Sequence, residues 1–250
     1  MKYGVISDVH GNFRALETVL ADGSARGVDK WIFCGDATGY GYDAPACVAA
    51  LRKCASVALL GNHDEVCVAR SQTVEMRVNP NYDIDRLDRK LLSAPDVAWL
   101  RKRPVSWSNG DFACAHGDFT SPADFNYIMD LYDASLSFNA TPERLLFVGH
   151  LHHAEIFLRS PKGVIKRWKP RSFKIRDGWR YLVNLGSVGY PRNDMVTTYC
   201  IYDDRAGELD FRELRFDFKD YIEKMLNHDR PLPGWLTAML LSAVGGKKRS

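Results

Sequence analysis

Short apolar runs recur along the chain at Tyr3–Ile6, Trp31–Cys34, Val57–Leu60, Phe112–Ala115, Leu145–Val148 and Tyr181–Val183. Each is only a few residues long and rich in β-branched or aromatic side chains, which predicts buried strands rather than helices. Between the first two runs, Phe13, Leu16, Val19 and Leu20 fall at helical spacing, with Asn12 placed to cap the start and Gly27 to end it. That is a β-α-β unit. A second helix is expected after Asp43, with Pro45 in its first turn and Cys47, Val48 and Leu51 on one face. Residues 66–110 are polar and read as helical at Asp83–Leu92 and Val97–Arg101. A further helix is expected over Tyr221–Leu226, packed outside the catalytic sheet, followed by Pro231, Pro233 and a second apolar segment ending in Lys247-Lys248-Arg249. Alternating strands and helices predict an α/β fold, with a largely parallel or mixed β-sheet covered by helices. Ligands of such folds gather beyond the carboxyl ends of the strands.

A length of 250 residues, 46% hydrophobic and 26% charged, is enough for one core and typical of a globular protein. Asp8 and His10 interrupt the first apolar run too early for a secretory signal, and Trp235–Val244 is too short for the roughly 18 residues a spanning helix needs. The six cysteines are scattered without a Cys-x-x-Cys pair and read as buried free thiols. A cytoplasmic protein is expected, with no membrane contact and its oligomeric state left open. The net charge of +3 is too small to argue for nucleic acid by itself.

The chemistry stands directly after the predicted strands. The clusters are Asp8-Val9-His10, Gly35-Asp36, Gly61-Asn62-His63-Asp64, His116-Gly117-Asp118 and Gly149-His150-Leu151-His152. Any one of these is more often a turn or a cap than a ligand set. Together they hold five of the seven histidines, leaving out only His153 and His228, so the enrichment is positional. Metal ligation explains such a pattern better than chance. Carboxylate with imidazole suits Mn, Fe or Zn better than Ca²⁺, and the lack of cysteine ligands argues against a structural zinc.

In order and type these blocks resemble the calcineurin-like metallophosphoesterase superfamily. Gly39-Tyr40-Gly41, Pro45 and the stretch Asn184–Arg192 are similar to its small bacterial phosphodiesterase-like branch. Leu185 stands where that branch usually has Pro, and Asp118 where it often has Ser or Thr. The resemblance implies a mixed β-sheet sandwich flanked by helices, in four α/β/β/α layers. It implies a catalytic domain over residues 1–216, with 66–110 as a possible helical cap, and a helical extension over 217–250. It also implies two metal ions per chain: Asp8, His10 and His152 on the first, Asn62, His116 and His150 on the second, and Asp36 bridging them. Two ions about 3.5–4 Å apart clamp phosphate oxygens and turn bound water into hydroxide near neutral pH. The matching histidine of the family faces the substrate, which makes His63 the catalytic acid or charge stabilizer. Asp64 is read as a loop or capping residue and His153 as a surface one.

Protein phosphatases of the superfamily carry an arginine shortly after the Gly-Asp block, and Ala37–Tyr42 contains none. The expected substrate is therefore a phosphate diester. Arg192 is placed either on a phosphate oxygen or in a salt bridge that fixes its turn. Between Lys162 and Arg180 there are eight basic residues with Trp168, Phe173 and Trp179 among them. That stretch reads first as a solvated β-hairpin and second as a nucleic-acid surface, so a nuclease is one alternative. A phosphomonoesterase or protein phosphatase on the same site is another. A metal-binding scaffold without catalysis is the non-enzyme alternative, and the intact ligand set speaks against it.

Overall fold

The computed structural model describes residues 1–192 and 196–228, and beyond them only residues 232, 234, 237, 238, 240 and 241. The prolines at 231 and 233 and the basic end of the chain lie outside the described residues. Among those described there are two six-stranded mixed sheets. In the first, β1 (Lys2–Ile6), β2 (Lys30–Phe33) and β3 (Ala55–Ala58) run parallel, and β1 continues antiparallel into β11 (Val196–Asp203), β12 (Glu208–Arg215) and β9 (Phe173–Lys174). The second has the order β4 (Ser106–Ser108), β5 (Phe112–Ala115), β6 (Leu145–Val148), β10 (Arg180–Asn184), β7 (Glu155–Arg159) and β8 (Ile165–Trp168). Its β5, β6 and β10 are parallel.

Alternation of side chains sets the layers. Val5, Ile32, Leu145 and Phe147 meet between the sheets, whereas Ile6 and Phe33 face α1 (Phe13–Ala25) and α2 (Ala44–Cys54), and Leu146 and Val148 face α7 (Leu131–Ala140). Strands buried on both faces must be apolar throughout, which is why they appear as uninterrupted runs. The result is the four-layer α/β/β/α sandwich. Six strands were expected and twelve are present among the described residues; β3 begins two residues before its run. The other six carry polar residues: in β11, buried Thr197 and Thr198 donate their hydroxyls to the carbonyls of Val188 (2.9 Å) and Leu185 (2.7 Å).

Asn12 caps α1 by accepting from the Ala15 amide at 3.0 Å. Between β3 and β4 come α3 (Asn62–Val68), α4 (Val74–Val78), a 3-10 turn (Pro80–Tyr82), α5 (Asp83–Leu91) and α6 (Ala94–Leu100). Leu100, Val97 and Trp99 join the core against the first sheet, while Thr73, Glu75, Met76, Asn79 and Tyr82 turn toward a cleft. The segment is thus both a cover for the sheet and a wall of the cleft. The helix expected near Tyr221 is α8 (Phe218–Leu226), and Tyr221 donates to the carbonyl of Gly11 at 3.1 Å. It lies outside both sheets and touches a loop of the site.

Candidate metal centre

The loops following β1, β2, β3, β5, β6 and β10 converge at one end of the sandwich, and their clusters meet there. The Nε2 atoms of His10 and His152 are 2.9 Å apart, and His152 Nε2 is 3.1 Å from Asp8 Oδ1. On the other side of Asp36, His116 Nε2 lies 3.2 Å from Asp36 Oδ2 and 3.1 Å from Asn62 Oδ1. Asp36 Oδ2 is also 3.6 Å from His10 Nε2. Asp8, His10 and His152 form one group of mutually close donor atoms, and Asp36, His116 and His150 form another. All seven expected ligands are in this one place.

Their orientation is fixed from behind. His10 Nδ1 bonds the Thr38 carbonyl at 2.8 Å, His116 Nδ1 that of Cys34 at 2.9 Å and His152 Nδ1 that of Tyr190 at 2.7 Å. A ring that donates from Nδ1 keeps the Nε2 lone pair for the centre. The His150 amide donates to both Asp8 oxygens at 3.2 and 3.0 Å. Gly61 and Gly149 are required by close approach, since a Cβ at either would collide with Asp36 or with Ser7 and Asp8.

Backbone conformation marks the same place. Seven described non-glycine residues have positive φ: Asp8, His10, Asp36, Tyr40, Phe125, His150 and His152. Five of them are expected ligands, and the other two line the cleft. Such conformations cost on the order of 1–3 kcal/mol each and persist where the surroundings over-determine them.

Charge follows burial and neighbours. Burial lowers the basicity of His10 to about 4 and of His150 to about 3, so both are neutral at pH 7. Burial also opposes charge on His116, but Asp36 outweighs it and holds the ring near 9. Asp36 is buried, yet His116 and His63 keep it ionized, and His152 and His10 do the same for Asp8. Asp36 Oδ2 has no hydrogen-bond donor, although it is inaccessible to solvent. With the Nε2 atoms of His116 and His10 at 3.2 and 3.6 Å, it faces a place where a cation would fit.

His63 stands beside this group with its Nδ1 2.8 Å from Asp85 Oδ2. Burial disfavours its charge, but Asp85 and Asp36 prevail and raise it to about 9. Asp85, on α5, has no counterpart among the sequence clusters and was missed. The one available signal was the pair Asp85 and Asp88 on the same face as buried Ile84. Asp64 does not orient His63. Its carboxylate accepts from the amides of Asp36 (2.9 Å), Ala37 (2.9 Å), Thr38 (3.1 Å) and Gly61 (3.3 Å), which makes it the clamp of the Asp36 loop. Asn184 similarly ties the Gly149 carbonyl at 3.1 Å, and Asp118 bonds Thr120 and the Ser121 amide within its own turn. His153 faces outward, 3.5 Å from Glu155.

The cleft in front of the centre encloses about 1070 Å³. Arg192 is exposed on its rim, close enough to act electrostatically on Tyr40, Tyr127 and Tyr190. The basic segment is not the expected β-hairpin, because β8 pairs with β7 in the second sheet and β9 with β12 in the first. Arg180 donates to the carbonyls of Phe138, Thr141 and Glu143, Arg167 pairs with Glu155, and Trp168, Phe173 and Trp179 pack on the inter-sheet core.

A family model described as the calcineurin-like phosphoesterase superfamily domain matches residues 1–207. The chain belongs to this superfamily. Family membership makes it a metal-dependent phosphoesterase, hence a hydrolase acting on phosphate esters. It is 31% identical to a crystallized metallophosphoesterase of Sphaerobacter thermophilus, with a TM-score of 0.82 over 98% of this chain and 99% of that one. An uncharacterized protein of Methanocaldococcus jannaschii is 29% identical over 239 residues, 93% of this chain and 94% of its own length. A hypothetical protein of Pyrococcus horikoshii shares the fold at 15% identity, with a TM-score of 0.69 over 96% and 97% of the two chains. No helix among the described residues is long and apolar enough to cross a membrane.

Proposed function

We propose that this phosphoesterase is a phosphodiesterase working on two divalent ions. Asp8, His10 and His152 would hold one ion, Asn62, His116 and His150 the other, with Asp36 between them. The unsatisfied Asp36 Oδ2 and the Nε2 atoms turned toward it support that assignment. Imidazole, carboxylate and amide oxygen together suit Mn, Fe or Zn. When bound, such a pair polarizes phosphate oxygens and activates water at neutral pH.

The chain's own groups do the rest. His63 is charged at pH 7 and held at Nδ1 by Asp85, so its Nε2–H is the proton available to a departing alkoxide. Arg192 receives a phosphate oxygen at the rim. The lining of the cleft carries the choice of ester: Arg192 is its one guanidinium or ammonium among the described residues, against the carboxylates of Glu65, Glu75 and Asp124. A diester brings a single negative charge to that lining, whereas a monoester dianion or a nucleic-acid strand brings more. The engaged Arg167 and Arg180 and the inward rings of residues 162–180 favour a small-diester enzyme over a nuclease. Free, mostly buried cysteines support a cytoplasmic setting.

Protein reconstituted with Mn²⁺ should cleave bis(p-nitrophenyl) phosphate with a higher kcat/KM than p-nitrophenyl phosphate. A preference for the monoester would reverse the assignment.

A further inference from the structure

We infer that the cleft selects diesters carrying a flat aromatic or heteroaromatic ring on the ester arm that stays on the phosphate, and that Tyr127 is the surface on which the ring lies. This rests on the phosphodiesterase reading and adds the identity of the organic group to it.

The Tyr127 and His150 rings are almost coplanar, 8° apart with centroids at 4.0 Å. One face of the tyrosine therefore covers a residue of the proposed metal centre. Even so, 46% of Tyr127 remains exposed, and it lines the cleft. A ring exposed on one face and lining a cleft is a surface on which another flat ring can stack. The same cleft is lined by Tyr40 and Tyr190, themselves stacked at 4.7 Å and 29°. Tyr82, Phe125, Phe218 and Tyr221 add to the aromatic lining.

Arg192 lies in the lining of the same cleft, near enough to Tyr40, Tyr127 and Tyr190 to act on all three phenols. A guanidinium there serves a phosphate monoanion, and the rings around it serve what that phosphate carries. Charge on the organic arm is disfavoured when negative, because Glu65, Glu75 and Asp124 line the same cleft. The volume of about 1070 Å³ is at the upper end of small-ligand sites, much more than a bare phosphate or a methyl ester fills. An uncharged planar ring on a singly charged phosphate meets all of these conditions. A nucleoside diester is one member of that class, and an aryl diester is another.

Two substrates with the same leaving group separate ring recognition from catalysis: thymidine 5′-(p-nitrophenyl phosphate) and methyl p-nitrophenyl phosphate. The Mn²⁺-loaded protein should prefer the thymidine ester by about tenfold in kcat/KM, the scale of one ring-stacking contact. Tyr127→Ala should bring that ratio close to one, whatever loss the two substrates share, and Tyr127→Phe should keep it. A wild-type ratio near one, or an unchanged ratio in Tyr127→Ala, overturns the inference and leaves the phosphodiesterase reading standing. If neither ester is hydrolysed, the phosphodiesterase reading fails. Calorimetric binding of thymidine 5′-methylphosphonate then decides the ring site: binding lost in Tyr127→Ala and kept in Tyr127→Phe supports it, and no Tyr127-dependent binding overturns it.

Discussion

The cradle of metal-ligand side chains and the walls of the cleft lie within one site but are built in opposite ways. The cradle comes from short loops directly after strands, with backbone pinned into left-handed conformations and side chains bonded from behind. The walls come from the loop after β2, the short helices after β3, the loop after β5, the turn after β10 and one face of α8, and Tyr127 and Arg192 on them are exposed. A sheet can fix a loop that leaves its edge to within a hydrogen bond; a wall built from 3-10 turns and exposed rings can vary without disturbing the sheet. On the proposed function, the chemistry is set by the cradle and the choice of ester by the walls.

His63 belongs to both regions, and changing it should give the largest effect short of destroying the cradle. His63→Ala should lower kcat on a poor leaving group by about 10²- to 10⁴-fold while the metal content measured by elemental analysis stays near wild type. Equal loss of metal from His63→Ala and Asp36→Ala would move His63 into the cradle as a ligand.

Asp64 tests whether the cradle is rigid because its backbone is clamped. Asp64→Ala leaves several buried amides without an acceptor, each worth roughly 1–3 kcal/mol. Urea unfolding should show a loss of about 3 kcal/mol or more; a loss under about 1 kcal/mol would mean that water replaces the clamp.

Asp85 tests whether a wall residue tunes the cradle's neighbour. Asp85→Asn should slow turnover by up to about 10²-fold with little change in KM, because the amide can still accept from Nδ1 but no longer helps hold His63 charged. A change in KM alone would assign Asp85 to binding.

How much of this was legible follows the same division. Asp8, Asp36, Asn62, His116 and His150 stand out because each candidate ligand sits within four residues of the end of its strand, near a glycine that the packing requires. The parallel core strands could be found because burial on both faces leaves them apolar. Asp85 could not, since a helix reading Asp-Ile-Asp-Arg-Leu-Asp turns acids outward by pattern, whereas α5 buries Asp85 and Asp88 and exposes 53% of Leu91. Burial there is dictated by partners far away in sequence, His63 and the Gly39 amide. Tyr127 had no pattern at all; only its stacking on His150 gives it a role.

The smallest effect lies away from both regions, as a control on the scaffold. Asp22 is partly buried, which opposes its charge, but Tyr199, Arg26 and Arg212 bond it and hold its pKa below the ordinary value. A depressed carboxyl stabilizes the fold above its unfolded pKa of about 3.9, and that contribution is lost as pH falls through the folded value. Asp22→Asn should therefore cost about 1 kcal/mol at pH 7, discounted for partial exposure, with the gap to wild type closing below about pH 4. Activity should not change at neutral pH. A gap that widens in acid would contradict the sign.

The claim that two ions on an Asp36 bridge perform the hydrolysis is tested most directly by titrating metal-free protein with Mn²⁺ while following cleavage of bis(p-nitrophenyl) phosphate. Activity should rise to a plateau at two ions per chain, and Asp36→Ala should neither retain both ions nor cleave the ester. Full activity at one ion, full activity without metal, or an active Asp36→Ala variant would contradict it.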